Sequence, residues 1–420
     1  MNLVARLFGA LLLSVLLANP PALAQVRQAR DEVRWTGSWA AAPQDYAQAL
    51  PWSGAPSSPP PLLDNLTLRQ GLQPTLGGQR VRVRFSNRFG NMPLHIASAS
   101  VARSTGGNAV SLASLQSLRF DGHAGVTIAP GAEVWSDATS FAVAPDQAVS
   151  VSFHVDAPVS FATVHHLTPG ATWIMPGDAV RQANWTNATR SGWNHIVTGL
   201  DVVGPRASRV VVAFGDSITE GAGIVGDGHA VRYPERLALR LRGRPGSAGL
   251  FAVLNEGISG NRLLSDGAGA KGVERFERDV LGQSGVTHVI ILIGINDIGL
   301  TLQDSGGRLG APNVDQITAG LQQLIDQSRA WGVKVLLGTL LPFKESAYWS
   351  AEKEIRRQAV NRWIRGQQGI DGVIDFDAAL RDPADPQSLK PVYDLGDHLH
   401  PSAAGHAAMA DAIDLHALQK

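Results

Sequence analysis

The residue of this chain best placed to do chemistry is Ser217, in the run Phe214-Gly215-Asp216-Ser217-Ile218-Thr219. Val210, Val211, Val212, Ala213 and Phe214 lead into it and read as a short strand buried on both faces, the mark of a parallel sheet. A side chain just past the carboxyl end of such a strand lies where open α/β sheets place their ligands. Serine is a poor nucleophile until a base takes its proton, and the base works best when a carboxylate fixes its tautomer. Asp397-His398-Leu399-His400-Pro401 holds both groups in one loop. Asp397 and His400 are three apart, so one turn can join them; His398 and Asp394 compete for the same roles. Charge developing on a carbonyl oxygen needs donors already aimed at it. Gly260, in the stretch Asn255 to Asn261, lets a backbone N–H approach closely, and Asn296, in Gly294-Ile295-Asn296-Asp297, offers a side-chain amide. The plainer alternative for Ser217 is a helix N-cap. Glu220 and Asp297 flank these stretches with no role that the sequence assigns.

These residues need a framework. Beyond Gly204-Pro205-Arg206-Ala207-Ser208 the pattern is strand, loop, helix, with further buried strands expected at Phe251–Leu254, Val289–Ile293, Val333–Leu341 and Val373–Phe376. Ile317, Leu321, Leu324 and Ile325 share one helix face, and a last helix starts near Pro401, a residue acceptable in a first turn. Alternation of this kind predicts a three-layer α/β/α sandwich with a parallel sheet. Before the boundary the pattern is β. Val81, Val83 and Phe85 alternate with Arg80, Arg82 and Arg84, and Val149, Val151, Phe153 and Val155 alternate with Ser150, Ser152 and His154. Each predicts a strand with one dry and one solvated face, and an antiparallel β-sandwich with turn-rich connections such as Pro51–Pro61.

The 36 basic and 36 acidic residues balance, so nothing points to nucleic acid or an anionic membrane surface. There is no cysteine, which removes thiolate nucleophiles, disulfides and Cys-ligated zinc. His154, His165 and His166 could suggest a metal site, but a solvated side chain on the polar face of its strand accounts better for His154; His406 reads as structural; and the tryptophans, seven of ten before residue 200, read as packing rather than a sugar platform. The chain starts with Arg6, an apolar stretch Leu7–Ala18 broken only by Ser14, and Ala22-Leu23-Ala24 before Gln25. This is the pattern of a cleaved secretory signal, too short to span a bilayer. The expected organisation is a signal peptide over 1–24, a β-sandwich over 25–205 and a hydrolase domain over 206–420, with the protein exported to the periplasm or beyond.

GDSIT at 215–219, GISGN at 257–261, GIND at 294–297 and DHLH at 397–400 resemble the four sequence blocks of the SGNH (GDSL-type) hydrolases, in the family order. The resemblance covers 209–420. The first half, through Trp35–Trp39 and Ser86–Gly90, is more weakly similar to N-terminal extensions of secreted bacterial members. Carried over by position, the resemblance implies Ser217 as nucleophile and first oxyanion donor, Gly260 and Asn296 as the other donors, and Asp397 and His400 as the rest of a triad. It favours Asp397 and His400 over Asp394 and His398.

The implied activity is hydrolysis of carboxylic esters through an acyl-enzyme, with no cofactor and no metal. Acetyl or short acyl esters on polysaccharides are the favoured substrates. A lipase, lysophospholipase or arylesterase, and an acyltransferase using the same serine, are the alternatives. A glycan-binding protein with a vestigial hydrolase half is an alternative of another class, against which the intact Ser217, Asn296 and His400 speak. Competing designs lack their residues: there is no G-x-S-x-G elbow, no S-x-x-K at Ser217, no HExxH and no phosphate loop.

Overall fold

The computed structural model describes residues 34–419 apart from 49–61, 167–171, 225–230, 247–248, 301, 304–307 and 310. The expected signal peptide over 1–24 and the connection expected at Pro51–Pro61 lie outside the described residues. Arg34–Lys420 form one compact unit.

The second half is built on a five-stranded parallel sheet. Its order is Phe251–Gly257, Arg209–Gly215, Val286–Leu292, Lys334–Gly338 and Gly372–Ile374. Val210 to Phe214 are wholly buried, because helices cover both faces as a parallel sheet requires. Tyr233–Gly243, Phe376–Leu380 and Ala403–Asp411 pack together in one layer; Gly272–Phe276, Val314–Ala330 and Ala351–Arg365 pack in the other. The chain steps from Arg209–Gly215 to the edge strand and then back across to Val286–Leu292, so strand order reverses beside the first strand. Ligands bind outside the carboxyl ends at such a reversal, and Ser217 and Asn296 both follow strands there. The final helix starts at Ala403, capped by the Ser402 side chain on Gly405 N at 3.2 Å. Pro401 therefore precedes the cap and does not lie in the first turn.

The first half is an antiparallel sandwich. One sheet runs Thr36–Ala40, Val197–Val202, Gly78–Ser86 and Glu133–Trp135; the other is centred on Leu66–Leu72, Val149–Val155 and Ser98–Gly106. Phe85, Phe120, Phe153 and Phe161 meet edge to face between them. Among the described residues of this half, helix is confined to the short turn Leu112–Ser114.

The expectation of a wet outer face fails on both strands. Ser150, Ser152 and His154 are buried. Ser152 Oγ accepts from Arg69 Nε at 2.8 Å, and the rest of that buried guanidinium donates to the carbonyls of Asn108, Gln182 and Ala183 while lying 4.1 Å from the Trp185 ring. His154 is held at Leu66 O, 3.1 Å from Nδ1. A covering loop hydrogen-bonded to an arginine mimics solvent, and alternation alone cannot tell the two apart. Arg82 and Arg84 are similarly enclosed. Arg82 binds Asp201 Oδ2 at 2.7 Å and Ser284 Oγ at 3.1 Å, between the Trp35 and Trp135 rings. Arg84 donates to Thr198 Oγ1 at 3.0 Å. Trp35, Trp135 and Trp185 thus serve packing as platforms for arginine.

Ser284 belongs to the second half, so Arg82 already bridges the two. Thr75 goes further: its Oγ1 donates to Val253 O and accepts from Val253 N, both at 3.0 Å. The outer edge of the parallel sheet is thereby occupied by the sandwich, which removes an exposed strand edge.

Arg275 ties the strand ends together. Its side chain is wholly buried. It donates to Gly215 O at 2.7 Å, Glu256 O at 2.9 Å, Asn261 Oδ1 at 2.9 Å and Asp279 Oδ2 at 3.0 Å, with the guanidinium 4.1 Å from the Phe214 ring. Removing one member of a buried charged network leaves the others uncompensated, at a cost of about 3–5 kcal/mol. Arg275→Met should therefore lower the free energy of unfolding by that much, seen as a lower urea midpoint at unchanged m-value in equilibrium unfolding. A variant as stable as the parent would show that these bonds do not hold the loops.

Candidate active site

Ser217 opens the short helix Ser217–Glu220 directly after the first parallel strand. The turn needs Gly215: a Cβ there would lie 2.2 Å from Thr219 Oγ1 and 2.4 Å from Leu292 O. Asp216 is the N-cap, accepting from Ile218 N at 3.0 Å, so capping does not occupy the serine. Ser217 Oγ lies 2.8 Å from His400 Nε2.

His400 sits in the loop before the last helix, with Nδ1 2.6 Å from Asp397 Oδ2. Asp397 Oδ1 also accepts from His400 N at 2.8 Å and Leu399 N at 3.0 Å. Burial pushes the Asp397 carboxyl up, but these hydrogen bonds outweigh it and hold the group well below the usual carboxylate range. A carboxylate accepts only, so Nδ1 carries the hydrogen and the Nε2 lone pair faces the serine. The competing pair has another task. Asp394 takes Gly396 N at 2.8 Å, His398 N at 3.0 Å and His398 Nδ1 at 2.7 Å. This stabilises His398 at a φ of 61°, a left-handed conformation unusual outside glycine.

The other strand-end loops converge on the same place. Asn296, almost fully buried, donates from Nδ2 to Asn261 O at 3.0 Å and accepts at Oδ1 from Tyr348 OH at 3.0 Å. Both contacts orient the amide and leave its second N–H hydrogen for a ligand. Gly260, one residue before Asn261, has a φ of 74°, which turns its N–H out of the loop's own bonding. Neither Ser217 N nor Gly260 N has an acceptor among the described residues.

Sequence reasoning assigned nothing to several residues that matter here. Glu220 accepts from Ser259 N at 2.6 Å and from the Ser259 hydroxyl. Asp297 accepts from Leu263 N at 2.7 Å and Leu264 N at 3.0 Å, pinning the chain beyond Asn261. Tyr348 orients Asn296 from fifty-two positions away, and nothing local in the sequence marks it. Their acidity next to the motifs was the available signal for Glu220 and Asp297. His406 is structural as expected, its Nδ1 3.3 Å from Tyr233 N, and burial depresses it to about 3. His165 is buried, and the half-buried His166 meets the Trp193 ring at 4.7 Å. No group of three or more metal-binding side chains occurs among the described residues, and no helix there is long and apolar enough to cross a membrane.

A serine, a histidine and an aspartate in line at the carboxyl end of a parallel sheet define a serine-hydrolase type of α/β protein. Residues 213–408 match the GDSL-like lipase/acylhydrolase family, so this segment is a GDSL-type (SGNH) acylhydrolase domain, the kind that hydrolyses carboxylic esters. No curated protein matches it. Among solved structures it is similar to Axe2, an acetylxylan esterase from Geobacillus stearothermophilus, at 22% identity over 49% of this chain and 91% of that one, TM-score 0.37. It is also similar to a GDSL-like lipase from Bacteroides thetaiotaomicron, at 19% identity over 51% and 89%, TM-score 0.36.

Burial raises two carboxyls beneath the site: Asp216 to about 7, against its bond from Ile218 N, and Asp297 to about 6, against those from Leu263 N and Leu264 N. For Asp216 the folded value lies above the unfolded 3.8, so the native state keeps a proton that the unfolded chain has lost. Stability then falls as pH rises from about 4 to about 7, at up to roughly 1.4 kcal/mol per pH unit from this group. Asp216→Asn keeps an oxygen for Ile218 N and removes the ionisation. Its urea midpoint should decline less than the parent's over that window; parallel curves would mean that Asp216 titrates as if exposed.

Proposed function

We propose that Ser217, His400 and Asp397 form the catalytic triad of an esterase, with Ser217 N, Gly260 N and Asn296 Nδ2 as its oxyanion donors. The observation that carries this is the continuous line from Ser217 Oγ to His400 Nε2 at 2.8 Å and from His400 Nδ1 to Asp397 at 2.6 Å. His400 takes the serine proton as Oγ bonds to the ester carbonyl carbon. The carbonyl electrons move to oxygen and are met by the three donors. As the carbonyl re-forms, the alkoxide leaves with the proton from His400. Water then repeats the cycle on the acyl-enzyme, giving the acid and free Ser217.

Acetyl or other short acyl groups on carbohydrate are the proposed substrates. The supports are the leader-like first 24 residues, which fit a protein exported to the periplasm or beyond, and a sandwich (25–205) that we read as an accessory domain beside a catalytic domain over 206–420. Tyr46, Trp193 and His166 add a half-buried aromatic cluster, with Tyr46 and Trp193 centroids 4.8 Å apart, on the segment adjoining His165 and Glu220. Flat rings of this kind suit a sugar face.

Three measurements test the proposal. A fluorophosphonate should label Ser217, and Ser217→Ala should lose both the label and at least about 10⁴-fold in kcat; label on another serine would overturn the assignment. Asn296→Ala should lower kcat by about 10²–10³ with little change in KM, whereas a near-parental rate would make this amide structural. Release of acetate from acetylated polysaccharides should exceed cleavage of p-nitrophenyl octanoate; the reverse order would favour a lipase, and ester exchange outpacing hydrolysis an acyltransferase.

A further inference from the structure

One contact from the sandwich reaches the hydrolase loops at a point the mechanism does not use. The strand Thr163–His165 lies between Gln44–Asp45 and Asn194–His195. Neighbouring Gln44 accepts from His166 N at 2.9 Å, which fixes the strand's end. His165 is 5% exposed, and its Nδ1 is 2.8 Å from Ala42 O. A carbonyl only accepts, so Nδ1 carries a hydrogen and the ring plane is set. Its Nε2 faces Glu220 Oε1 at 3.2 Å, a contact that attracts the carboxylate when Nε2 carries the ring's second hydrogen. The approach is off the hydrogen-bonding line, and Glu220 Oε1 has no hydrogen bond among the described residues.

Glu220 is 1% exposed and ends the helix that Ser217 begins. Its backbone is clamped: Arg232 Nη1 donates to Glu220 O at 3.1 Å, and a Cβ on Gly257 would come within 2.2 Å of Glu220 N. Only the carboxylate can still turn. Its Oε2 holds both Ser259 N and the Ser259 hydroxyl, and Ser259 immediately precedes Gly260. A buried carboxylate with one oxygen so engaged needs a polar neighbour for the other.

We propose that His165 is a positioning residue for the esterase reaction: by facing Glu220 it fixes the rotamer that holds Ser259, and so sets where the Gly260 N–H points. The proposal rests on Gly260 being an oxyanion donor. It makes the sandwich a contributor to rate through a residue that never touches substrate. Displacing an active-site group by about 1 Å can cost on the order of 10²-fold, so a shifted donor is felt in kcat rather than KM.

The test compares His165→Phe, which keeps a ring but no polar atom, with His165→Gln, whose amide N–H can reach the position of Nε2. Both are assayed on p-nitrophenyl acetate in the full chain, alongside their melting temperatures. His165→Phe should lose about tenfold or more in kcat with KM nearly constant, and His165→Gln should recover most of it. A folded His165→Phe protein with parental kcat overturns the proposal. So does a glutamine variant that loses activity and stability as the phenylalanine one does, since that describes a purely structural residue. Should His165→Phe not fold, Ser259→Ala reads the next bond in the chain: a several-fold fall in kcat at unchanged melting temperature supports the proposal, and parental kcat overturns it. Ser217→Ala in the same assay separates the two layers. If it is inactive while His165→Phe is fully active, only the positioning role falls; if Ser217→Ala retains activity, the esterase assignment beneath it falls too.

Discussion

The site depends most on a cation that never meets substrate. Arg275 is buried beneath the strand ends, and its donors are divided among the Gly215 carbonyl just ahead of Ser217, the Glu256 carbonyl and the Asn261 side chain. Backbone carbonyls at the ends of parallel strands have lost their sheet partners, and burying them unbonded is costly. One planar guanidinium gives Gly215 O a second donor beside Ile258 N, which lies 3.2 Å away, and bonds Glu256 O and a side-chain amide at once, in a fixed fork that no other side chain supplies. The spacing between the serine loop and the Gly260 loop is thereby set by covalent geometry within a single side chain. The charge this introduces is balanced by Asp279, which Arg278 also contacts.

The sandwich enters the same logic from the other side. It covers the edge strand through Thr75 and Gly37, whose N–H donates to Ser284 O at 2.8 Å, and it sends Arg82 to Asp201 and Ser284. These contacts are polar and directional, so they fix register as well as proximity. A domain that merely presented substrate would not need to complete the hydrolase sheet at its edge.

What the sequence made legible was whatever a local pattern encodes. The parallel strands were visible as apolar runs because both of their faces are buried, and three of the four motifs fell at strand ends, the fourth before the last helix, because chemistry there needs glycine turns and short polar residues. His400 was separated from His398 only by resemblance, since both lie beside an aspartate at workable spacing. The failures have one cause. Ser152, His154, Arg82 and Arg84 alternate with apolar residues as solvated positions do, yet each meets a buried partner remote in sequence. Tyr348 on Asn296 and Arg275 on Gly215 are likewise long-range pairings, and no periodicity reports them.

A common device holds the loops that meet Ser217. Gly260 and Gly294 have positive φ, which glycine adopts readily, and His398 at a φ of 61° sits in a region that a non-glycine residue rarely takes. Beside each of these loops stands a carboxylate that accepts more than one N–H or O–H. Glu220 takes both donors of Ser259, Asp297 takes Leu263 N and Leu264 N, and Asp394 takes Gly396 N and His398 N. Asp397 does the same for Leu399 N and His400 N while also facing the imidazole. Carboxylate acceptors make stronger bonds than neutral ones, which suits them to hold strained turns still. Asp397 shows why the same residue type serves both ends: the bonds that freeze its loop also keep it ionised, so rigidity of the loop and the charge behind His400 come from one set of contacts.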